Sequence, residues 1–580
     1  MLAALMFRTA FGWPSRFPDR LLIPKHSSLG LQYNGFALEW NRQAIQGSAK
    51  SKMPAPRTSP RKRPIRRIEL APAASTQARL NDFLRAHSGL MVALFCLYAG
   101  LRLLIYCAAF PMVNNVDEPY HFAAIEMYAR GQWPGKELPR PDRESAKFIA
   151  LYASSEYLLS RAQIEQFHLE VPFYQSTAQR ERIVAAGYQE WLNSPNFEAQ
   201  STPFYYLVGA YWYRLGRAFD LTEWQLAYWV RFLNPVVYVL LLWISYAYVR
   251  KIYPGRMFLW LGVPALLAVF PQDVFFGMNR DVLSGPMSAV ALLLLMKAVD
   301  ERSSGWLLAA SFAVSIGFLV NVSNCVLYGA LAVSLWFWVR RSTTATPMTV
   351  GIASGAGFVS VALPAAWMLR NRAVMGDLTG SRAKIEHLRW TVKPLGQMFH
   401  HPIFSLHGLS YFLTNLGASF WRGEYVWHAE RMHWPVADRI YLASSALAIP
   451  AFIVLVVRKW KVSSPIQRMA ALQACVVVIG SVVFMAAISL PFDFHNCMYP
   501  SRANPFFLSG RIISGALLPF AMMYVSGLEY LLAPARKWAP PAAVLACLLL
   551  FITLTEFQIR SVVFSSPYNY FAIRAWQQNH

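Results

Sequence analysis

The stretch "STPFYYLVGAYWYRLGRAF", Ser201 to Phe219, decides how the chain is threaded through a membrane. It is aromatic and apolar, but Arg214 and Arg217 interrupt it. If this stretch crossed the bilayer, every later loop would change sides. If it lies in the interface and the N-terminus is inside, the basic clusters between the later apolar runs all face the cytoplasm, as the positive-inside rule requires. We therefore predict an interfacial helix over Pro203–Phe219.

The composition is that of a protein with many membrane spans. Of the 580 residues, 56% are hydrophobic and only 14% are charged, which is more apolar than one soluble core needs. We predict an all-α, polytopic integral membrane protein with about eleven transmembrane helices of the ~20 residues that a span requires. The apolar runs are Leu90–Met112, Phe232–Val249, Met257–Phe276, Val282–Met296, Trp306–Val320, Cys325–Val339, Met348–Trp367, Ile440–Val457, Met469–Leu490, Ile512–Leu532 and Ala542–Phe557.

The charge distribution predicts the organisation of the chain. The formal net charge is +24, but the Lys and Arg residues form a basic head and short clusters between apolar runs. This is the pattern of cytoplasmic loops and not of a nucleic-acid-binding surface. We predict a disordered basic cytoplasmic tail over residues 1–86 and a polytopic domain over 87–580 in the cell inner membrane. Its external loops are predicted over residues 113–231, which hold interfacial helices, and over 369–439 and 491–511.

Candidate acidic residues follow the first span in "NNVDEPYHF", where Asp117 and Glu118 are adjacent and His121 lies one turn later. A charge at a membrane mouth is costly unless it is paired, solvated or used. The structural alternative is that Asp117 caps a helix that begins with Glu118 and Pro119. We predict catalytic roles for Asp117 and Glu118, and substrate contacts for Tyr120 and His121.

A second acidic candidate, Asp281, lies in "GMNRDVLSG", where a predicted span returns into the membrane at the same surface as Asp117. Asp273, in the same turn, is interpreted as a helix cap. Two carboxylates from separate loops can hold a divalent cation, or one of them can act as a general base. The sequence therefore predicts that Asp117 and Asp281 share one site. It leaves open whether this site holds Mg²⁺ or Mn²⁺ or whether one carboxylate acts as a general base. The six Cys residues show no metal-ligand spacing.

Arginines at the external ends of spans are the candidate anion-binding residues. They oppose the positive-inside bias, and their planar guanidinium groups suit phosphate oxygens. The alternative is that they extend towards lipid headgroups. The candidates are Arg370 and Arg372 in "WMLRNRAVMGDLTG" and Arg502 and Arg511 in "YPSRANPFFLSGR", with Arg382 and Lys384 as weaker ones.

These motifs, taken in order, resemble a known superfamily. "VDEPYHFAAIEMYARGQWPG", "STPFYYLVGAYWYRLGR" and "RFLNPVVYVLLL" resemble the GT-C superfamily of membrane glycosyltransferases. "DEPYHF", "MNRDVLSG", "WMLRNRAVMGDLTG", "GASFWRGEYVW" and "SGRIISGALLPF" resemble an uncharacterised bacterial family of predicted membrane proteins allied to it. The similarity covers about residues 90–532.

The resemblance implies an enzyme that takes a sugar from a polyprenyl-phosphate-type donor. It implies that Asp117 activates the acceptor or binds metal, that Asp281 is the second acidic residue, and that external basic residues bind the donor phosphate. The acceptor would be an envelope glycan or lipid on the periplasmic side. The chain lacks the "WWD" motif of oligosaccharyltransferases and a large soluble domain after the last span, so protein N-glycosylation is not expected.

Two other functions remain open from the sequence. One is a transporter or flippase of lipid-linked or anionic substrates, which would need charges at mid-membrane depth; the predicted spans are largely free of charge. The other is a non-catalytic protein of envelope-glycan assembly, for which the acidic residues would be dispensable.

Overall fold

The computed structural model describes residues 82–114, 117–341, 346–497 and 499–579. The tail predicted over residues 1–86 therefore lies outside the described residues as far as residue 81. Residues 82–86 are helical and lead into the first long helix.

The first part of the fold is one long helix followed by a loop region of shorter helices. The helices are α1 (Ser88–Ala109), α2 (Glu118–Ala129), α3 (Arg143–Tyr152), α4 (Arg161–Gln166), α5 (Ala178–Asn193), α6 (Phe204–Ala218) and α7 (Glu223–Arg231), with a 3₁₀ helix at Phe197–Gln200. The predicted interfacial segment Pro203–Phe219 is thus the separate helix α6, which packs against α2. Its residues Tyr211, Leu215 and Phe219, spaced by four, are exposed, which gives α6 an apolar face of the kind found at membrane interfaces.

The middle of the chain is a series of closely packed apolar helices. They are α8 (Leu233–Ile252), α9 (Met257–Ala268), α10 (Ser284–Asp300), α11 (Ser304–Val320), α12 (Val326–Arg341) and α13 (Thr346–Met375), with 3₁₀ helices at Asp273–Phe276, Arg280–Leu283 and Val322–Cys325. Helix α8 packs against α1, α9 and α10, and α11 packs against α10 and α13. These helices have no continuous polar face, because lipid and neighbouring helices surround them.

The last part of the chain completes the bundle. Its helices are α14 (Arg382–His387), α15 (Leu395–Met398), α16 (Leu406–Arg422), α17 (Pro435–Lys459), α18 (Pro465–Ser489), α19 (Leu517–Leu532), α20 (Pro541–Arg560) and α21 (Tyr570–Asn579), with 3₁₀ helices at Pro402–Phe404, Gly510–Ala516 and Ser561–Ser565. Four two-residue strands form two antiparallel pairs: β1 (Thr391–Val392) with β4 (Phe492–Asp493), and β2 (Val426–Trp427) with β3 (Glu430–Arg431). The β1–β4 pair joins two of the loops predicted to be external.

The all-α polytopic prediction is confirmed. Within the described residues, nine helices are long and apolar enough to cross a membrane, and two shorter apolar helices, Met257–Ala268 and Ser304–Val320, lie between them. Together they correspond one by one to the eleven predicted apolar runs. The chain is therefore a multi-pass membrane protein.

One feature of the spans differs from the prediction that they are largely free of charge. Arg102 in α1 and Glu556 in α20 are buried and form a two-pronged ion pair, with Nη2–Oε1 at 2.5 Å and Nε–Oε2 at 2.6 Å. Arg102 also donates to the carbonyls of Ala268 and Phe270 at the end of α9. Because the two charges compensate each other and Arg102 also binds two carbonyls, the pair connects α1, α9 and α20.

Candidate active site at the mouth of the helix bundle

The guanidinium of Arg511 lies between carboxylates from three separate segments. Its Nη2 is 3.2 Å from Asp117 Oδ2, its Nη1 is 3.1 Å from Asp281 Oδ2, and its Nε is 3.6 Å from Glu424 Oε2. Only 15% of the Arg511 side chain is exposed. Arg511 and the three carboxylates together carry excess negative charge. Because the carboxylates come from separate segments, all three segments position the Arg511 side chain.

Asp117 occupies the N-cap position of α2 but does not act as a cap. Its backbone is in the left-handed region (φ 59°, ψ 10°), and its side chain accepts no capping hydrogen bond from the described residues. The carboxylate contacts Arg511 instead and is 31% exposed. Desolvation raises the pKa of Asp117 above its usual range. The positive charge of Arg511 lowers this pKa, but the effect of desolvation is larger. The cap interpretation therefore does not explain this residue.

Asp281 is held rigidly from its own turn and from two other segments. Its backbone N–H donates to Asn279 Oδ1 at 2.9 Å, and Asn321 donates to its Oδ1 at 2.5 Å. The hydroxyl of Ser514 donates to its carbonyl at 2.7 Å. The side chain is 1% exposed, so Asp281 is a fixed buried acceptor for Arg511 and has little access to any other molecule.

The "SGR" sequence at 509–511 places Arg511 through close backbone packing. Ser509 donates a short hydrogen bond to Glu424 Oε2. A Cβ on Gly510 would lie 2.1 Å from the backbone nitrogen of Phe420, so only glycine allows this approach. The N–H of Gly510 donates to Ser419 at 2.9 Å. The motifs "GASFWRGEYVW" and "SGR" thus form one packed unit that presents Glu424 and Arg511 together.

A second charged cluster is centred on Glu198, in the 3₁₀ helix before α6. Its Oε1 is 2.8 Å from Lys384 Nζ, and its Oε2 is 3.2 Å from Arg280 Nη1. These two cations hold the pKa of Glu198 well below its usual range although burial opposes this. Arg280 precedes Asp281, so the two clusters share one turn. A cleft lined by Gln200 and Arg382 lies beside the second cluster.

His121 is close to these charges but is itself neutral. Its side chain is buried, and desolvation lowers its pKa to about 3. Its Nδ1 is 2.9 Å from the hydroxyl of Tyr206 in α6. The other ring nitrogen, Nε2, has no hydrogen-bond partner among the described residues. His121 can therefore offer one neutral polar group but no positive charge.

The structure places Glu118 and Tyr120 apart from the Arg511 contacts. Glu118 is fully buried in a two-pronged ion pair with Arg231 of α7, with both N–O distances at 2.6 Å. Its oxygens also accept backbone hydrogen bonds from Asn114 and Met278. The hydroxyl of Tyr120 contacts Ser194 at 3.2 Å. The Glu118 contact with Met278 fastens the first loop onto the bundle, whereas the Tyr120 contact lies within the loop.

Three of the four arginine candidates have other partners. Arg370 donates to the carbonyl of Pro134 at 2.5 Å, and Arg372 donates to the carbonyl of Gly376 at 2.7 Å. Arg502 pairs with Asp493 at 3.1 Å and is 72% exposed. Arg511 is thus the one member of this set that contacts Asp117 and Asp281.

The geometry does not fit the divalent metal considered from the sequence. Arg511 bridges Asp117 and Asp281, so the guanidinium takes the position a shared cation would need. Within the described segments, no group of three or more His, Cys, Asp or Glu residues could hold a metal ion, so a divalent cation here would need its remaining oxygen ligands from water or substrate.

Sequence reasoning missed Glu198, Glu424 and Arg280. Glu424 lies in "WRGEYVW" and Arg280 in "MNRD", both within quoted motifs. Glu424 follows a glycine and Arg280 follows an asparagine. A charged residue in such a turn sequence could have marked both as candidate site residues. Glu198 in "NSPNFEAQ" carries no such signal, because its partners lie 82 and 186 residues further along the chain.

Comparison with known proteins identifies a family and similar solved structures. Residues 101–495 match the family described as "Predicted membrane protein (DUF2142)". No curated protein matches the chain. ArnT from Cupriavidus metallidurans in the apo state is similar over 85% of this chain and 76% of its own, with 15% identity and a TM-score of 0.42. The same protein bound to undecaprenyl phosphate is similar over 84% and 75%, with 15% identity and a TM-score of 0.39.

Proposed function

We propose that this chain, which belongs to the DUF2142 family of predicted membrane proteins, is an integral membrane glycosyltransferase. It moves a sugar from a polyprenyl-phosphate-type donor to an envelope glycan or lipid acceptor on the external face of the inner membrane. The motif resemblance to the GT-C superfamily motivates the reaction class. The observation that carries the proposal is the contact of Arg511 with both Asp117 and Asp281 at the mouth of the bundle.

This contact has the chemistry needed to bind a lipid phosphate. A guanidinium fork forms two parallel charge-assisted hydrogen bonds with phosphate oxygens as well as with a carboxylate. Asp281 is buried and held by Asn321, whereas Asp117 is 31% exposed. A donor phosphate would therefore replace Asp117 on Arg511 and leave Asp281 in place to aim the guanidinium. Arg280 and Lys384 add positive charge nearby.

The same exchange frees a base for the acceptor. Once separated from Arg511, the Asp117 carboxylate takes the proton of the acceptor hydroxyl while that oxygen attacks the anomeric carbon. The bond from this carbon to the phosphate oxygen breaks, and polyprenyl phosphate leaves with the electron pair, stabilised by Arg511. A single displacement inverts the configuration at the anomeric carbon. Glu118 has a structural role in this account, and no metal is used.

The sidedness is part of the proposal. The bundle end that carries Asp117, Asp281 and Arg511 is external, the basic loops at the other end are cytoplasmic, and α6 lies in the interface. In a background in which the free Cys497 is replaced by Ser, cysteine labelling from outside should modify a cysteine placed at Asn496 but not one placed at Ser463. The reverse pattern would contradict the external site.

The activity itself is tested by product release. Membranes containing the wild-type chain are supplied with a pool of polyprenyl-phosphate-linked sugars, and free polyprenyl phosphate is measured by mass spectrometry. We expect faster release than in membranes with an equal amount of the folded Asp117→Asn, Arg511→Lys double variant. Equal rates across the pool would contradict a transferase and favour the transport or assembly functions.

A further inference from the structure

A basic cleft lies at the opposite end of the bundle from Arg511. It lies between the ends of α17 and α19 and the beginnings of α9 and α18. Helix α17 begins soon after Glu424 and ends at this cleft, while α18 begins here and ends shortly before the segment of Arg511. The cleft therefore belongs to the membrane surface remote from the candidate active site.

Cations at the rim of the cleft exceed the anions that the protein supplies. Arg256 is paired with Glu529 at 2.6 Å. Lys459 has no side-chain partner in the described part of the chain. Arg468 uses its Nε to donate to the carbonyl of Ser463 at 3.1 Å and lies 5.8 Å from the ring centroid of Trp460. Its two terminal nitrogens remain as donors, so an outside anion would be held by Lys459 and Arg468.

The wall of the cleft is suited to a ligand with both polar and hydrocarbon parts. Phe452, Leu455 and Val456 of α17 form an apolar side of the cleft. Trp460 and Tyr253 lie at the rim, where aromatic residues of membrane proteins meet the headgroup layer. A free phosphate would use only the cations and leave this apolar path unused.

The wall also contains an unsatisfied polar group. The hydroxyl of Ser526 in α19 is buried and has no hydrogen-bond partner within the described residues, although Ser526 lines the cleft. A buried hydroxyl without a partner costs free energy. A phosphate or glycerol oxygen in the cleft would supply the missing partner.

We propose that this cleft binds one anionic phospholipid of the remote leaflet. Its phosphate contacts Lys459 and Arg468, and an acyl chain lies along the apolar side of α17. Basic pockets between transmembrane helices bind acidic headgroups in this way. Because α17, α18 and α19 also carry the segments that hold Glu424 and Arg511, the lipid would stabilise their packing. The proposal does not depend on the transferase reaction.

The test compares lipid binding by variants matched in charge. Lys459→Gln with Arg468→Gln removes the two cations, and Arg536→Gln with Lys537→Gln removes the same charge from the exposed loop after α19. Detergent-purified proteins are titrated with phosphatidylglycerol, phosphatidylcholine and inorganic phosphate, and bound lipid is counted by native mass spectrometry. Loss of two charge-assisted contacts should weaken phosphatidylglycerol binding about 10-fold or more in the first variant, while the second binds like wild type.

The wild-type titration alone can also overturn the proposal. We expect one phosphatidylglycerol bound in preference to phosphatidylcholine, with a raised melting temperature. Equal binding of the two lipids, or the full thermal effect from inorganic phosphate alone, would contradict a phospholipid site. Unchanged affinity in the Lys459→Gln, Arg468→Gln variant would also contradict it. If that double variant does not fold, Lys459→Gln alone and the wild-type lipid comparison decide the question.

Discussion

Arg511 and Asp117 are 394 residues apart in the sequence, yet their Nη2 and Oδ2 atoms lie 3.2 Å apart. This contact joins the first loop after α1 to the 3₁₀ helix that precedes α19. It also leaves Asp117 without a capping role in α2. The Asp117 carboxylate is partly exposed and is held by a guanidinium, a group that also binds phosphate. The proposed chemistry follows from this feature.

The first prediction is that Asp117→Asn preserves the fold and removes turnover. Asn adopts the left-handed backbone of this position as readily as Asp, so the melting temperature should change little. Loss of the negative base should reduce sugar transfer by about 100-fold or more. Asp142→Asn is the matched control, because Asp142 caps α3 through Ser145 and Asn caps equally well. Near-normal transfer by Asp117→Asn would remove Asp117 from the mechanism.

The second prediction is that Arg511→Lys weakens donor use. A lysine ammonium is a compact point charge, and it lacks the planar fork whose separate nitrogens contact Asp117 and Asp281. We expect a higher apparent KM for the lipid donor, by about 10-fold or more for the loss of one charge-assisted bond. Arg502→Lys is the control, since Arg502 is 72% exposed and pairs only with Asp493 among the described residues. If both variants keep the wild-type KM, Arg511 does not bind donor phosphate.

Local sequence patterns were sufficient for the helices but not for their polar contacts. Each apolar run became a helix because length and hydropathy are local properties. Arg214 and Arg217 similarly marked α6 as different from a span. Glu118 shows the limit of this reasoning. Its charge was noticed, but its partner Arg231 lies 113 residues later, and no spacing rule links the two.

The third prediction separates the structural role of Glu118 from a catalytic one. Removing one member of a fully buried ion pair leaves an uncompensated charge and typically costs 3–5 kcal/mol. Glu118→Gln should therefore lower the melting temperature strongly, and adding Arg231→Gln should recover part of the loss. The exposed pair of Arg382 and Glu386 is the control, and breaking it should change stability little. A stable Glu118→Gln protein without turnover would instead make Glu118 catalytic.

The fourth prediction concerns the pH dependence of stability. Burial in the first loop raises the pKa of Glu126 from 4.5 to about 7. The folded state therefore binds a proton that the unfolded state releases, so this residue lowers stability as pH rises from 4.5 to 7, with no further change above. Glu126→Gln, which mimics the protonated carboxyl, should melt at a higher temperature than wild type at pH 8 and at a similar one at pH 4. If the difference in melting temperature between Glu126→Gln and wild type were the same at every pH, the pKa of Glu126 would not be raised.

The candidate site was only partly predictable for the same reason as the ion pairs. Asp117, Asp281 and Arg511 could be proposed because each lies at the end of an apolar run, where a charge is unusual. That one guanidinium contacts both carboxylates depends on packing between α2, α10 and the segment before α19. The backbone approach of Gly510 to Phe420 of α16 fixes the position of the segment that carries Arg511, and it involves residues far apart in the sequence.

The most direct test of the central claim is an experimental structure of the protein with a polyprenyl phosphate. The account predicts phosphate density within hydrogen-bond distance of the Arg511 guanidinium, with Asp281 still in contact and Asp117 moved off Nη2. A phosphate bound elsewhere, with the contacts of Arg511 to Asp117 and Asp281 unchanged, would contradict it.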